Sequence, residues 1–315
     1  MKRTVVVAAL ALVSACTPRA TAPAGSNLTP GDHTVTVNGL ALRYHVAGSG
    51  PVCLVQPGGP GLGWESVRMP DVEKHLTMVY VEPIGTGASG RLKDDTGYTR
   101  QRYADDLYGL RSALGLGETY VLGHSHGGFV ALEYALAHGA NVRGLVLYDT
   151  SPVTNAEFAS DAADRAKTFA LEPWFRAASA ELAFVAHTDD DATASWRRGI
   201  GLYVASYSSN KEQVDHFAEG IHAFVAPTHG KDPAPYDLRA RLPEIKAPTL
   251  VLVGKRDFVC SPKYAAMLSA GIVGSQLVTL ERSGHFGHFE EPIEFAAAVG
   301  DFVNSVERST DHGAR

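Results

Sequence analysis

The sequence has little positive charge, and no long run of either sign interrupts it. Its 28 Lys and Arg residues are outnumbered by 34 Asp and Glu residues, which gives a formal net charge of −6. Nucleic-acid-binding proteins usually carry a basic patch or stripe, so we predict no nucleic-acid partner. No Gly-rich segment is followed by Gly-Lys-Ser/Thr, which argues against a P-loop. No internal repeat is present.

Cysteine is also scarce, with three residues in 315: Cys16, Cys53 and Cys260. Cys53 lies within one apolar strand pattern and Cys260 follows a different one. A disulfide needs Cα atoms within about 7 Å, and the topology predicted below does not make these two strands neighbours. We therefore expect Cys53 and Cys260 to be buried free thiols.

Short apolar segments that alternate with helical patterns make up most of the chain, 45% of which is apolar. The segments VCLVQ, TMVYVE, TYVLG, GLVLYD, TLVLVG and QLVTLE suit strands covered on both faces, as in a parallel sheet. Helical patterns lie near 102–115, 127–138, 261–270 and 292–306. Before them, Asn38-Gly39 between HTVTV and LALRYHV indicates a β-hairpin. This order predicts an α/β fold with a mostly parallel, doubly wound sheet.

The alternation stops between residues 152 and 241, where aromatic-rich helical patterns occur without a convincing strand. We predict that this stretch is a helical cap inserted into the domain. The core is then formed by residues 32–151 and 242–308. We expect the cap to line the site with aromatic side chains: Phe158, Phe169, Trp174, Phe175, Tyr203 and Tyr207.

The N-terminal residues are predicted to be a targeting segment and not part of the fold. Lys2 and Arg3 precede an apolar run that is too short to span a bilayer. The string Val13-Ser14-Ala15-Cys16 resembles the lipobox of bacterial lipoproteins. That resemblance implies a signal peptide at residues 1–15, lipidation of Cys16, a tether over residues 16–31, and an exported, membrane-anchored protein of the bacterial cell envelope. The alternative is an ordinary secretory signal that contains a Cys.

The segment Gly123-His124-Ser125-His126-Gly127-Gly128 lies between the strand pattern TYVL and an Ala-rich helical pattern. A G-x-S-x-G sequence in this context is typical of a nucleophile elbow, a strained turn that exposes the Ser hydroxyl above a sheet. The helix that follows directs its first N–H groups toward developing negative charge. Ser125 is therefore the candidate nucleophile.

A nucleophilic Ser needs a base, and the base needs an acid that orients it. Asp257 follows the strand TLVLVG, and His285 follows QLVTLE. Both therefore lie at the carboxyl edge of the predicted sheet, beside the elbow, where open α/β sheets bind ligands. The order Ser, acid, His suits this fold. Asp149, at the end of GLVLYD, remains an alternative acid.

Five strings resemble the α/β-hydrolase superfamily, within it the prolyl-iminopeptidase-like and esterase branches: PGGPG (57–61), EPIGTGASGR (82–91), GHSHGG (123–128), GKRDFVC (254–260) and SGHFGHFEEP (283–292). The resemblance covers about residues 34–305. It implies an oxyanion hole formed by the backbone N–H groups of Gly59 and His126. Two departures from the family pattern occur: Pro57 replaces the usual His, and His126 replaces the Trp that typically follows the nucleophile of prolyl iminopeptidases. The second departure argues against a peptidase more than against a hydrolase.

Two other patterns suggest cofactors. Gly85-Thr-Gly87-Ala-Ser-Gly90 matches G-x-G-x-x-G but does not open a helix, so we predict no nucleotide cofactor. His124, His126, His285 and His288 lack co-ligands at metal spacing, so we predict no metal site.

The sequence thus predicts a serine hydrolase that cleaves a carboxylic ester or lactone through an acyl-enzyme on Ser125. Its substrate is expected to be a small molecule or short peptide. A prolyl-iminopeptidase-like aminopeptidase is the alternative, and it would need acidic cap residues to hold the substrate ammonium: Glu172, Glu181, Asp215 or Glu219. A non-catalytic binding protein on the same fold is a third hypothesis.

Overall fold

The computed structural model describes residues 28–229 and 236–313, with side chains to residue 309. The predicted signal peptide, Cys16 and the tether as far as residue 27 lie outside the described residues. None of the helices in the described part of the chain is long and apolar enough to cross a membrane.

The described strands form one large sheet and one small ribbon. The strands are β1 (Gly31–Val37), β2 (Leu40–Gly48), β3 (Val52–Gln56), β4 (Thr77–Glu82), β5 (Thr119–His124), β6 (Val142–Tyr148), β7 (Val153–Thr154), β8 (Tyr236–Asp237), β9 (Thr249–Gly254) and β10 (Gln276–Leu280). Over these residues the large sheet has eight strands in the order β1-β2-β4-β3-β5-β6-β9-β10. The pairs β1–β2 and β2–β4 are antiparallel, and the others are parallel.

The predicted hairpin joins β1 to β2 through Asn38 and Gly39, whose φ angles are 49° and 83°. Both positive angles suit a two-residue turn of the Asn-Gly type. The mostly parallel α/β sheet predicted from the apolar segments is confirmed. Cys53, in β3, and Cys260, after β9, are both buried free cysteines, as predicted.

Helices cover both faces of the sheet. They are α1 (Arg100–Ala113), α2 (His126–His138), α3 (Ala156–Ala166), α4 (Phe175–Glu181), α5 (Asp189–Gly199), α6 (Lys211–Glu219), α7 (Pro262–Gly271), α8 (Gly287–Glu290) and α9 (Pro292–Gly313). Val121 packs on one face with residues of α1, α2 and α7. Its neighbour Leu122 packs on the other face with residues of α9. Alternation within β5 therefore supplies two apolar cores, and each fully buried Val or Leu contributes about 1.5–3 kcal/mol.

We use the name cap for residues 152–241, of which 152–229 and 236–241 are described. Helices α3 to α6 lie here. Backbone hydrogen bonds connect the cap to two loops of the core. Tyr203 accepts a hydrogen bond from the backbone N–H of His285 at 2.7 Å. Gly63 donates its N–H to the carbonyl of His222 at 2.8 Å, beside a bridge between Leu62 and Ala223.

The expectation that this stretch contains no strand is wrong in one detail. Val153–Thr154 pairs antiparallel with Tyr236–Asp237 to form a two-stranded ribbon at the base of the cap. Each strand has only two residues, which is too short to produce a recognisable periodicity. A second difference concerns α9, which continues to Gly313 beyond the predicted end near residue 306.

Candidate active site

Ser125 occupies a strained turn between β5 and α2. Its φ and ψ angles are 54° and −120°, a conformation that costs on the order of 1–3 kcal/mol for a residue other than Gly. Backbone hydrogen bonds hold the turn in place. The Ser125 N–H donates to the Tyr148 carbonyl at 2.9 Å, and its carbonyl accepts from the Thr150 hydroxyl at 2.8 Å.

The glycines on either side of Ser125 are required by close backbone packing. A Cβ on Gly123 would lie 2.2 Å from the carbonyl oxygen of Gly127, and a Cβ on Gly127 would lie 2.3 Å from that of Gln56. Real Cβ atoms do not approach carbonyl oxygens so closely. The G-x-S-x-G pattern is therefore a steric requirement of the turn, as the sequence predicts.

His285, which lines the same cavity as Ser125, is hydrogen-bonded to Asp257. His285 Nδ1 lies 2.8 Å from Asp257 Oδ2, and both side chains are buried. The other Asp257 oxygen, Oδ1, accepts the Val259 N–H at 2.8 Å. The Nδ1 bond leaves Nε2 as the ring nitrogen that can act as a base.

Asp149 follows β6, and one of its carboxylate oxygens lies within 4.8 Å of a ring nitrogen of His285. It is fully buried, and its Oδ1 accepts the Gly254 N–H at 2.7 Å. Burial, together with the nearby Asp257 carboxylate, raises the pKa of Asp149 well above its usual value. Of the two acids predicted from the sequence, Asp257 is the one bonded to the imidazole.

The backbone N–H groups of Gly59 and His126 lie beside Ser125 and make no hydrogen bond to the described residues. Gly59 has a φ of 118°, which favours glycine. His126 is the first residue of α2, where N–H groups have no intrahelical partner. The His126 ring packs edge-on against Tyr103 and Phe129. Burial lowers its pKa to about 4, so the ring is neutral at neutral pH.

A cavity of about 340 Å³ contains both Ser125 and His285. Gly59 and Pro60 line it from the core. From the cap come mainly apolar and aromatic side chains: Leu182, Ala192, Trp196, Tyr203, Ala223 and Phe224.

The aromatic lining predicted for the cap is largely wrong. Of the six predicted residues, Tyr203 alone lines this cavity, within the part of the chain that is described. Phe169, Trp174 and Tyr207 line a separate cavity of about 570 Å³ near Arg256, and Phe158 packs against Tyr264. Trp196, on α5, and Leu182 and Phe224, which follow helices, were missed because the sequence does not show which cap side chains turn toward the core.

The acidic cap residues are mostly engaged elsewhere. Glu172 bonds to Ser208, Asp215 accepts from Tyr207 at 2.8 Å, and Glu219 lies 3.6 Å from His216. Glu181 alone of the four lines the cavity among the described residues.

Glu181 is paired by a fork of two hydrogen bonds from Arg198, at 2.7 Å from Nε and 2.9 Å from Nη2. The Arg198 hydrogen bonds lower the pKa of Glu181. Its negative charge is therefore largely balanced within the protein.

Glu290 is a site residue that sequence reasoning missed. Its carboxylate accepts the Ala205 N–H from the cap and the Gly284 N–H beside His285, each at 2.6 Å. Burial raises the pKa of Glu290 to about 7. The string that contains it was noted in the sequence, but nothing in that string shows that this carboxylate joins the cap to the loop of the base.

One group of side chains in the described residues could hold a metal ion by distance. Ligand atoms of His124, Asp149 and His285 lie within 4.8 Å of one another. His124 Nε2, however, already bonds to the His285 carbonyl at 2.8 Å, and His285 Nδ1 bonds to Asp257. These contacts suit a hydrogen-bonded site better than a metal site.

The segment with the G-x-G-x-x-G pattern is a turn organised by Glu82. The Glu82 carboxylate accepts the backbone N–H groups of Ala88 and Ser89. No helix starts there, because α1 begins only at Arg100.

Comparison with known proteins agrees with this geometry. The profile of a family described as alpha/beta hydrolase fold matches residues 51–292. The chain is 25% identical to a proline iminopeptidase of Heyndrickxia coagulans, over 84% of this chain and 94% of that protein. It is 28% identical to a 2-hydroxymuconate semialdehyde hydrolase of Pseudomonas sp. CF600, over 85% of this chain and 92% of that protein.

Solved structures show the same fold. A hydrolase from Pseudomonas aeruginosa PA01 superposes with a TM-score of 0.67 at 25% identity, covering 86% of this chain and 98% of that one. An enol-lactonase from Burkholderia xenovorans LB400 gives 0.65 at 21% identity, covering 86% and 100%. With the family profile extending from β3 to the start of α9, the chain belongs to the alpha/beta hydrolase fold family, whose members are hydrolytic enzymes.

Proposed function

We propose that this protein is a serine hydrolase that cleaves a carboxylic ester or lactone through an acyl-enzyme on Ser125. His285 acts as the base and Asp257 as the orienting acid. One observation carries the proposal. Ser125 and His285 line the same cavity, while Nδ1 of that His is bound to a buried carboxylate.

Acylation begins when Ser125 Oγ attacks the substrate carbonyl carbon and His285 Nε2 takes the hydroxyl proton. The Asp257 carboxylate stabilises the imidazolium and fixes its tautomer. The carbonyl oxygen becomes an oxyanion, which the N–H groups of Gly59 and His126 bind. Each such donor contributes about 3–4 kcal/mol to the transition state. The imidazolium then returns the proton to the leaving alcohol as the ester bond breaks.

Deacylation repeats these steps with water as the nucleophile. His285 takes a proton from the water as its oxygen attacks the acyl carbonyl. The tetrahedral intermediate collapses, the proton passes to Ser125 Oγ, and the carboxylic acid leaves. No cofactor enters this scheme.

The lining of the cavity favours esters over N-terminal peptides. An aminopeptidase must hold a substrate ammonium, and an unpaired carboxylate suits that task best. Here Glu181 is already balanced by Arg198. Most of the other cap side chains around the cavity are apolar or aromatic and suit an acyl chain. Aminopeptidase action remains the second candidate, because several relatives are named proline iminopeptidases.

The two candidates are separated by a substrate panel. The domain is assayed with p-nitrophenyl esters of increasing acyl length, lactones, and prolyl and alanyl p-nitroanilides. We expect esters to give the highest kcat/KM, with graded dependence on acyl length of about 1–3 kcal/mol per methylene at most. A prolyl p-nitroanilide that exceeds every ester, and whose cleavage is lost in Glu181→Gln, would establish the aminopeptidase. Binding without turnover of any substrate would favour the non-catalytic alternative.

We also propose that the protein is exported and anchored to a bacterial membrane through lipid on Cys16. The lipobox-like string and the Pro- and Ala-rich segment after it support this. Several acyl chains give stable anchoring, whereas one chain gives only marginal binding. We propose further that the mature chain consists of a core, residues 32–151 and 242–308, and a cap, residues 152–241.

The anchor is tested by expression in a bacterium with labelled palmitate. The wild-type protein should incorporate label and fractionate with membranes, and Cys16→Ser should do neither. Cys53→Ser is the matched control, because this buried thiol should leave labelling unchanged. A mature protein that begins at another residue and stays soluble would contradict the proposal.

A further inference from the structure

A second buried acid lies beside Asp257, and the reaction described above does not use it. Asp149 is the first residue after β6 and is 0% exposed. Its Oδ1 accepts the Gly254 N–H at 2.7 Å. Its Oδ2 is buried, and no N–H or O–H group of the described residues reaches it. A buried oxygen in this position requires an explanation, because an unsatisfied polar atom is costly.

The neighbour of this side chain is the acid of the proposed triad. Both acids bind the same residue, because Gly254 donates its N–H to Asp149 Oδ1 at 2.7 Å and accepts the Asp257 N–H on its carbonyl at 3.1 Å. The Asp257 carboxylate is close enough to raise the pKa of Asp149. A carboxylate oxygen of Asp149 also lies within 4.8 Å of a ring nitrogen of His285. Two carboxyl groups in contact form a hydrogen bond only when one of them holds a proton, because two ionised groups repel each other.

The hydrogen bonds around the pair indicate which group holds that proton. Asp257 accepts from Val259 N–H on Oδ1 and from His285 Nδ1 on Oδ2. Both of its oxygens therefore act as acceptors, as suits an ionised carboxylate. Asp149 has one acceptor oxygen engaged and one free, as suits a neutral carboxylic acid.

We propose that Asp149 is a positioning residue that stays neutral, carries its proton on Oδ2, and donates it to the Asp257 carboxylate. This proposal rests on the proposed triad, because it assigns Asp257 as the charged member. The donated hydrogen bond holds the Asp257 carboxylate in the orientation that His285 requires. It also withdraws negative charge from Asp257, which moderates the basicity of the imidazole.

The surroundings of Asp149 favour its neutral form. The titratable groups that face it are Asp257, Glu290, Tyr148, Cys260, His124 and His285. No Lys or Arg is among these groups in the described residues. Burial and the Asp257 charge raise the pKa of Asp149 well above its ordinary value, and the single Gly254 N–H opposes this only weakly.

Two substitutions distinguish a neutral donor from a charged acid. Asp149→Ala removes the donor. We expect kcat for the best ester to fall about tenfold, and the acid limb of the kcat/KM profile to move up by about 0.5–1 pH unit as His285 becomes more basic. Asp149→Asn supplies a neutral N–H donor of the same shape. It should restore most of kcat and return the acid limb to its wild-type position.

The opposite shift would overturn the proposal. If Asp149 were ionised, Asp149→Asn would remove a negative charge close to His285. The acid limb would then move down by about one pH unit or more.

Infrared difference spectroscopy provides a readout that does not depend on turnover. At neutral pH the difference spectrum of the wild type minus Asp149→Asn should contain the carbonyl band of a protonated carboxylic acid. Glu290, whose pKa is about 7, contributes to both proteins and cancels. Glu294→Gln, a change at an exposed acid, is the matched control and should leave that band in place. Absence of the band from this difference spectrum would overturn the proposal even if Asp149→Ala fails to fold. Absence of ester turnover with the band present would instead overturn the proposed function.

Discussion

The sheet and the cap contribute to one cavity in different ways. Strands β3, β5, β6 and β9 are almost entirely buried, whereas cap helix α3 buries Ala166 alone and α4 buries Ala178 alone. The sheet places Ser125, Asp257 and His285 at the ends of strands. The cap supplies most of the apolar wall. Under the proposed function, the sheet therefore sets the reaction chemistry, and the cap, which has the smaller core, selects the substrate.

The cap and the sheet region meet at the loop that contains Gly284 and His285. His285 donates its backbone N–H to Tyr203, and Glu290 accepts from Ala205 and Gly284. The backbone of the cap therefore contacts the segment that carries His285 and Glu290. A change in the sheet should affect kcat, a change at this junction should affect stability, and a change in the cap wall should affect selectivity.

The largest expected effect is that of Ser125→Ala. Removing the nucleophile should lower kcat by about 10⁶, because the attacking atom is lost. The free energy of unfolding should stay the same or rise, since the strained φ of 54° does not depend on the hydroxyl. Ester assays and urea unfolding measure the two quantities. Residual turnover above one per cent would contradict the assignment.

Asp257→Asn is expected to have the next largest effect. The amide disturbs the tautomer of His285, so kcat should fall by about 10⁴. Asp149→Asn is the matched comparison at the adjacent strand end, where a far smaller loss is expected. If the Asp149 change were the more damaging one, the two acids would have exchanged roles.

The junction is tested by Glu290→Gln. The pKa of Glu290 in the folded protein is about 7, above its usual value of 4.5. A raised pKa means that the stabilisation is full below the unfolded value and is lost as pH rises through 7. Between pH 5 and 8 the wild type should lose about 2 kcal/mol that the variant does not lose. Urea unfolding at both pH values measures this difference.

The matched control for that experiment is Glu294→Gln, an exposed acid on α9. It should retain the wild-type pH dependence. An equal slope in wild type and Glu290→Gln would show that this carboxyl is not the group that titrates.

The smallest expected effect is in the cap wall. Trp196→Ala should enlarge the cavity and change the preference between short and long acyl esters by about tenfold, with little change in the kcat of the best ester. Trp174→Ala is the control, because this residue lines the other cavity. If both substitutions changed the acyl preference equally, the claim that only the cavity containing Ser125 selects the acyl group would be contradicted.

The sheet could be predicted from the sequence because its signals are local. Uninterrupted apolar segments such as TLVLVG predict buried strands, and the residue that follows each strand lies at a known edge. Three strand ends were therefore enough to place Ser125, Asp257 and His285 together. The glycines around Ser125 belong to the same local pattern.

The cap and the second acid could not be predicted as well, because they depend on contacts between distant segments. Trp196 and Trp174 are both cap tryptophans, and only the docking of their elements determines which one meets the cavity. Asp149 was visible as a rival acid. Its place beside the loop that carries Asp257 follows from the pairing of β6 with β9, which are separated by the whole cap.

Trapping of the acyl-enzyme tests the central claim most directly. The protein is mixed briefly with a p-nitrophenyl ester, quenched in acid, and analysed by intact mass and peptide mapping. Our account predicts a burst of one equivalent of p-nitrophenol and a single acyl adduct on Ser125. Turnover with an adduct on another residue, or an adduct of equal yield in Ser125→Ala, would contradict it.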